Sequence, residues 1–224
     1  MTASAQTDQE DGGPVPFGDR PESPAPYLKL SPLLALGQSL VWLLWHLSLI
    51  EYWKAAWIAF GRDRAGRYLA RSVAIDSFMG LKWLALILLV WFGVEAQWGR
   101  WGVSYLIGSA LFSYFYYHVW RAPPKSDSHA FQLRRTMTFL LSFFFGIAGY
   151  AYILFFGYRD AITWPGSTPT YTDALLMSLS NAFTASFADF PVTDDAVRRI
   201  LAGEVLFVFA FLVIIVVNSV PSRN

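Results

Sequence analysis

The stretch YTDALLMSLSNAFTASFADFPVTDDAVRRILAGEVLFVFAFLVIIVVN, Tyr171–Asn218, decides the fold. It reads as a short helix, a polar return and a long apolar helix. The short helix, Thr172 to Phe183, reaches only about 18 Å at ~1.5 Å per residue. A hydrocarbon core is ~30 Å thick, so an apolar helix of this length predicts a re-entrant segment rather than a span. Thr184, Ala185, Ser186, Phe187, Ala188 and Asp189 would then carry the chain back to the side it came from. Non-helical backbone at that depth is tolerated only where protein buries it or where it lines a wet cavity. These six residues are therefore the candidate pore lining.

Outward from this stretch, composition agrees. The chain has 224 residues, 55% of them hydrophobic and only 15% charged, with mean hydropathy +0.38, which places it among integral membrane proteins. Four further hydrophobic segments precede the last one at Ile200 to Val220: Leu33 to Phe60, Val73 to Val94, Val103 to Trp120 and Thr138 to Phe156. Glu51 and Lys54 interrupt the first, and Trp53 and Trp57 give it an interfacial character. The expected fold is thus an all-α integral membrane protein with four to five transmembrane helices and a re-entrant pore-loop helix before the last. Residues 1–26 form an acidic, Pro-rich tail too poor in apolar surface to fold. An N-terminal transmembrane region covers 27–135, and a pore-loop domain covers 136–220.

Loop charge sets the expected orientation. Arg62, Arg64, Arg67 and Arg71 follow the first segment, and Arg121, Lys125, Arg134 and Arg135 follow the third. Both loops should be cytoplasmic, with the Gln97 to Gly102 loop and the Tyr158 to Val197 region outside and the C-terminus cytoplasmic. If Leu33 to Phe60 spans, the acidic tail lies outside; if that segment lies along the surface, the tail is inside. The arginines at 62, 64, 67 and 71 are irregularly spaced in a polar loop, unlike a voltage sensor. The four lysines against many more arginines point weakly to a GC-rich bacterial genome, hence to a bacterial inner membrane.

The pattern Tyr171, Thr172, Asp173, Ala174, Leu175, then Ser178, Thr184, Asp189, Val192, Thr193 and Arg198, resembles the pore region of two-helix potassium channels. Thr138 to Phe156 stands as the matching outer helix. Aligned on Thr184 and Asp189, the family's T-V-G-Y-G-D filter is here T-A-S-F-A-D, with Ser186 and Ala188 at the glycine positions. The run Asp189, Val192, Thr193, Arg198 and Arg199 is similar, too, to a bacterial membrane domain family of unknown function that carries an equally eroded filter. The resemblance implies an outer helix, pore loop and inner helix that assemble as a homotetramer for ion transport. In a potassium filter, successive backbone carbonyls replace the hydration shell of the ion. Side-chain-bearing residues in the left-handed backbone this requires cost ~1–2 kcal/mol each. Two positions in four subunits aggregate to about 8–16 kcal/mol if strains add, which argues against potassium selectivity.

The supports of a pore loop are present. Thr170 or Thr172 can cap the short helix, with Asp173 complementing its dipole. Thr193 can cap the last helix, and Asp194 and Asp195 sit four residues before Arg198 and Arg199, a favourable helix pairing. Asp189 in four copies would make an acidic outer ring. Glu204 lies about one turn inside the last helix, and a hydrogen bond to Ser180 or Asn181 would satisfy it, unless it serves a proton- or ion-linked role. Asp76 and Lys82, in the second segment, need partners or must snorkel to the cytoplasmic surface. Gly146 and Gly149 suit close helix packing.

Other chemistry finds little support. With no cysteine, disulfides, thiolate metal sites and thiol catalysis are excluded. No metal-ligand spacing, phosphate loop or nucleophile motif occurs, so neither an enzyme nor a cofactor is expected, and no basic stripe suggests nucleic acid. His46 is an ordinary hydrogen-bonded histidine or a single pigment ligand; His118 sits at a different depth and cannot pair with it. Two functions follow: a weakly selective pore lined by Thr184, Ser186 and Asp189, or a non-conducting accessory or scaffold subunit bound to other membrane subunits. Either way the lipid bilayer is a partner.

Overall fold

A computed structural model describes residues 21, 31–61, 64–120, 129–165, 168–184 and 190–219. Among these the chain is helical: α1 (Pro32–Leu47), α2 (Leu49–Ala59), α3 (Arg64–Trp91), α4 (Gln97–Phe115), α5 (His129–Tyr158), α6 (Tyr171–Ala182) and α7 (Asp195–Ser219). The chain divides into two compact units, the boundary falling within α3 between Val73 and Ala74. Two helical stretches, Leu69–Trp91 and Leu133–Ala161, are long and apolar enough to cross a membrane. The pair α1 and α2 passes that test together but is bent by 60°.

In the first unit the expected continuous segment Leu33 to Phe60 is therefore broken at Ser48. Ser31 opens α1, its side chain accepting from Leu34 N at 3.4 Å, with Pro32 in the first turn where its missing N–H costs nothing. Ser48 is extended (φ −81°, ψ 108°), which ends the ladder of α1. Tyr52 in α2 donates its hydroxyl to His46 O at 2.8 Å across the break. Glu51 and Lys54, which interrupt the apolar run, neutralise each other at 2.6 Å and are both buried. His46 Nδ1 lies 2.7 Å from Trp42 O, one turn earlier in α1.

In the second unit α5 is the central element, packed by α4, α6 and α7. Glycines let the neighbours approach, as the sequence predicts. A Cβ at Gly149 would meet Ile107 Cδ1 of α4 at 2.8 Å, and one at Gly146 would overlap the Phe207 ring of α7. Around them Tyr114, Phe139, Phe143, Phe207 and Phe211 interlock, with ring centroids 4.7 to 6.5 Å apart. Such pairs add roughly 0.5–1.5 kcal/mol each beyond their buried area. The Gln97 to Gly102 stretch, expected as a loop, forms the first turns of α4. The turn lies earlier, at 92–96, where Gly93 takes φ +59°. Tyr152 closes this turn by donating its hydroxyl to Val94 O at 2.5 Å.

Two ionisable residues of α3 fare differently. Asp76 is exposed and pairs with Arg134 of α5 at 2.9 Å. Lys82 does not snorkel. It is 5% exposed, its ammonium 4.9 Å from the Phe145 ring centroid and 5.9 Å from that of Phe78. The ring faces supply negative potential where no water reaches.

Candidate functional site

The short helix expected at Thr172 to Phe183 is α6, of 12 residues, and thus about 18 Å long. Thr170 is its cap. The backbone N–H and hydroxyl of Thr170 both donate to Asp173 Oδ2 at 2.8 Å, and Thr170 Oγ1 accepts from Asp173 N at 3.4 Å. This reciprocal capping box satisfies otherwise orphaned donors. The donated hydrogen bonds, led by the backbone one, hold the exposed Asp173 carboxyl below the ordinary aspartate range.

Three aromatic and polar contacts fix where α6 runs. Its start lies beside the C-terminal part of α5: Tyr171 is 6.3 Å from Phe155 and donates to Ala148 O at 2.8 Å. Phe183, just past its end, lies 6.1 Å from Phe143, twelve residues earlier in α5. Helix α6 thus descends along α5 for most of its own length. The flanking chain is held together at the other level, where Ile162 and Val192 form an antiparallel bridge and Thr163 N donates to Pro191 O at 3.2 Å. The residue leaving α5 and the residue entering α7 are therefore neighbours.

Glu204 is the polar centre of this arrangement and is fully buried. Asn181 Nδ2 donates to its Oε2 at 2.8 Å and also to Leu201 O at 2.9 Å. Ser178 is hydrogen-bonded to its Oε1, and the Ser178 hydroxyl also lies 2.8 Å from Ile147 O of α5. The three side chains tie α5, α6 and α7 at one point. Asn181 was expected here; Ser178 replaces Ser180, whose Oγ is buried without a hydrogen-bond partner among the described residues. Spacing explains the substitution: Ser178 and Asn181 are three apart and share a helix face, whereas Ser180 points away.

The start of α7 departs from expectation by one residue. Asp194, not Thr193, caps it, accepting from Ala196 N at 2.6 Å. Arg198 pairs with Asp195 at 3.3 Å, three residues back rather than four, and also donates to Val192 O at 3.2 Å. Arg198 thereby reaches back to the residue that bridges Ile162. Arg199 is exposed beside it.

Of the six candidate pore-lining residues, Thr184 is described and Ala185, Ser186, Phe187, Ala188 and Asp189 lie outside the described residues. Thr184 is exposed and left-handed, with φ +51°, alone among described non-glycine residues. It sits one past the C-cap Phe183 of α6, where such a turn favours glycine. A β-branched residue there is strained by ~1–2 kcal/mol. No group of three or more metal-ligating side chains occurs among the described residues. Comparison with protein-family models, with curated proteins and with solved structures gave no match.

Proposed function

We propose that this chain is a channel-like membrane protein in which α5, α6 and α7 form a pore-loop unit, α6 re-entering from the outer face. Several copies surround an axis, most simply as a homotetramer. The stretch Thr184 to Asp189 then lines a weakly selective path for ions. The observation that carries the reading is the bridge between Ile162 and Val192 combined with the descent of α6 from Phe155 to Phe143. A segment that leaves and returns at one level, and is too short to span, delivers the residues after Phe183 to the bilayer interior. The strained backbone of Thr184 at that point supports the same reading, because strain persists where surrounding structure imposes it, often at functional sites.

The residues at the two glycine positions, Ser186 and Ala188, favour poor discrimination between potassium and sodium. They equally favour a second reading, in which the pore-loop unit is kept as scaffold in an accessory subunit of a larger membrane complex. In both, the protein sits in a bacterial inner membrane with its C-terminus cytoplasmic, and catalyses no reaction. Mass measurement in mild detergent, with crosslinking from a cysteine at the exposed Ile215, separates the two. A tetramer that self-crosslinks, and that reverses near zero millivolts under bi-ionic potassium and sodium, is the expected result. A monomer bound to unrelated chains, without the self-crosslink, refutes the channel. A reversal potential that tracks potassium alone refutes the selectivity argument.

A further inference from the structure

A cleft of about 520 Å³ opens where α5 ends, lined among others by Glu95, Phe155, Gly157, Arg159, Asp160 and Trp164. Its size is that of a small-molecule site, but its walls carry charge of both signs. Glu95, Arg159 and Asp160 make no ion pair with any other described residue. Arg100 of α4 backs this wall, donating from Nη1 to Gly157 O at 3.3 Å, and its Nε is buried without a partner among the described residues. Two acids and one base thus line the cleft, none ion-paired with another described residue.

The aromatic wall is ordered. Trp164 Nε1 donates to Arg159 O at 2.7 Å, which sets the indole. The Phe155 ring already faces the Arg159 guanidinium at 5.3 Å; Trp164, packed edge to face 6.2 Å from Phe155 and 6.1 Å from Phe190, and Phe156 are the other rings of the wall. A lone anion in this cleft would meet Glu95 and Asp160; a lone cation would meet Arg159. A ligand carrying both signs a few ångströms apart satisfies every wall.

Position adds the source. The cleft lies at the ends of both candidate spans, Leu69–Trp91 and Leu133–Ala161. Around that end Trp91, Trp98 and Trp101 are exposed at 80, 66 and 68%, the aromatic belt of a membrane interface.

We propose that this cleft binds a phosphate ester bearing a primary amine, with Arg159 toward the phosphate and Glu95, Asp160 and Trp164 toward the ammonium. Such a group is supplied by the phosphatidylethanolamine headgroup or by soluble phosphoethanolamine. The site stands whether or not the chain conducts.

The test uses the full-length protein, delipidated in mild detergent and given equal amounts of dioctanoyl-phosphatidylethanolamine and dioctanoyl-phosphatidylglycerol. Bound lipid is counted by native mass spectrometry. The ethanolamine lipid should be retained over the glycerol lipid by roughly fivefold. That preference should fall to near unity in Arg159→Gln/Asp160→Asn and in Glu95→Gln, and stay unchanged in Asp76→Asn, whose carboxylate pairs with Arg134 instead. Excess soluble phosphoethanolamine distinguishes the sources: displacement of the lipid assigns the soluble ligand, and persistence assigns the lipid. Equal retention of both lipids by the wild type, or an unchanged preference in both cleft variants, overturns the proposal.

Discussion

Replacing Glu204 by alanine tests the polar tie between α6 and its neighbours. Glu204 is fully buried, accepts from Asn181 at 2.8 Å and hydrogen-bonds Ser178. In the variant, Ser178 keeps Ile147 O and one Asn181 N–H keeps Leu201 O, while the second Asn181 N–H loses its acceptor. The loss is two hydrogen bonds, about 1–1.5 kcal/mol each, plus the void of a buried side chain cut to Cβ. Together these give about 3–5 kcal/mol, the range of large-to-small core truncations. Glu204→Gln is the control. Its amide oxygen can accept from Asn181 while its NH₂ donates to Ser178 Oγ, whose own proton goes to Ile147 O. That variant should cost less than about 1 kcal/mol. Unfolding by denaturing detergent from mild-detergent micelles, followed by loss of helical circular dichroism, reads both. An alanine variant within about 0.5 kcal/mol of wild type, or a glutamine variant as unstable as alanine, refutes the reasoning.

The other expectations are more local. Because the chain has no cysteine, Thr172→Cys and Thr193→Cys can each be labelled without background, and both should react with an impermeant reagent from the same face; opposite faces would exclude a re-entrant α6. Gly146→Ala should destabilise by about 1–3 kcal/mol, since the added methyl overlaps the Phe207 ring, and Gly146→Ala/Phe207→Leu should recover part of it in the same unfolding assay. Thr184→Gly should raise stability or leave it unchanged, because glycine takes φ +51° without strain, and a clear loss would mean the Thr184 side chain holds the turn. The capping contribution of Asp173 should be complete above the ordinary aspartate pKa of ~3.9 and vanish as pH falls through the lowered folded value. Hydrogen exchange of the first turn of α6, corrected for intrinsic rate, should therefore quicken on acidification in wild type and stay flat in Asp173→Asn.

Much of this protein is written locally. Long apolar runs broken by arginine-rich loops dictate a helical membrane protein, because backbone groups in lipid must bond within their own segment. The length of α6, and a cap at Thr170 or Thr172 with Asp173 in the first turn, are legible because such contacts span about three residues; the structure selects Thr170 and adds the reciprocal bond from Asp173. The cap of α7 shows the limit of such reading, since Thr193 and Asp194 are both good caps and only the backbone path into the helix selects Asp194. The break at Ser48 has no proline or glycine to announce it. Contacts between distant segments were decided by the tertiary structure alone. Ser178 rather than Ser180 meets Glu204, Lys82 lies over Phe145 instead of reaching the surface, and Glu95 joins Arg159 and Asp160 around one cleft. Hydropathy makes two to three of these helices long and apolar enough to cross a membrane but does not choose which faces meet, because lipid tails are as apolar as leucine. Gly146 and Gly149 make that choice by letting Phe207 and Ile107 close on α5, and the polar partners follow from where those contacts bring the backbones.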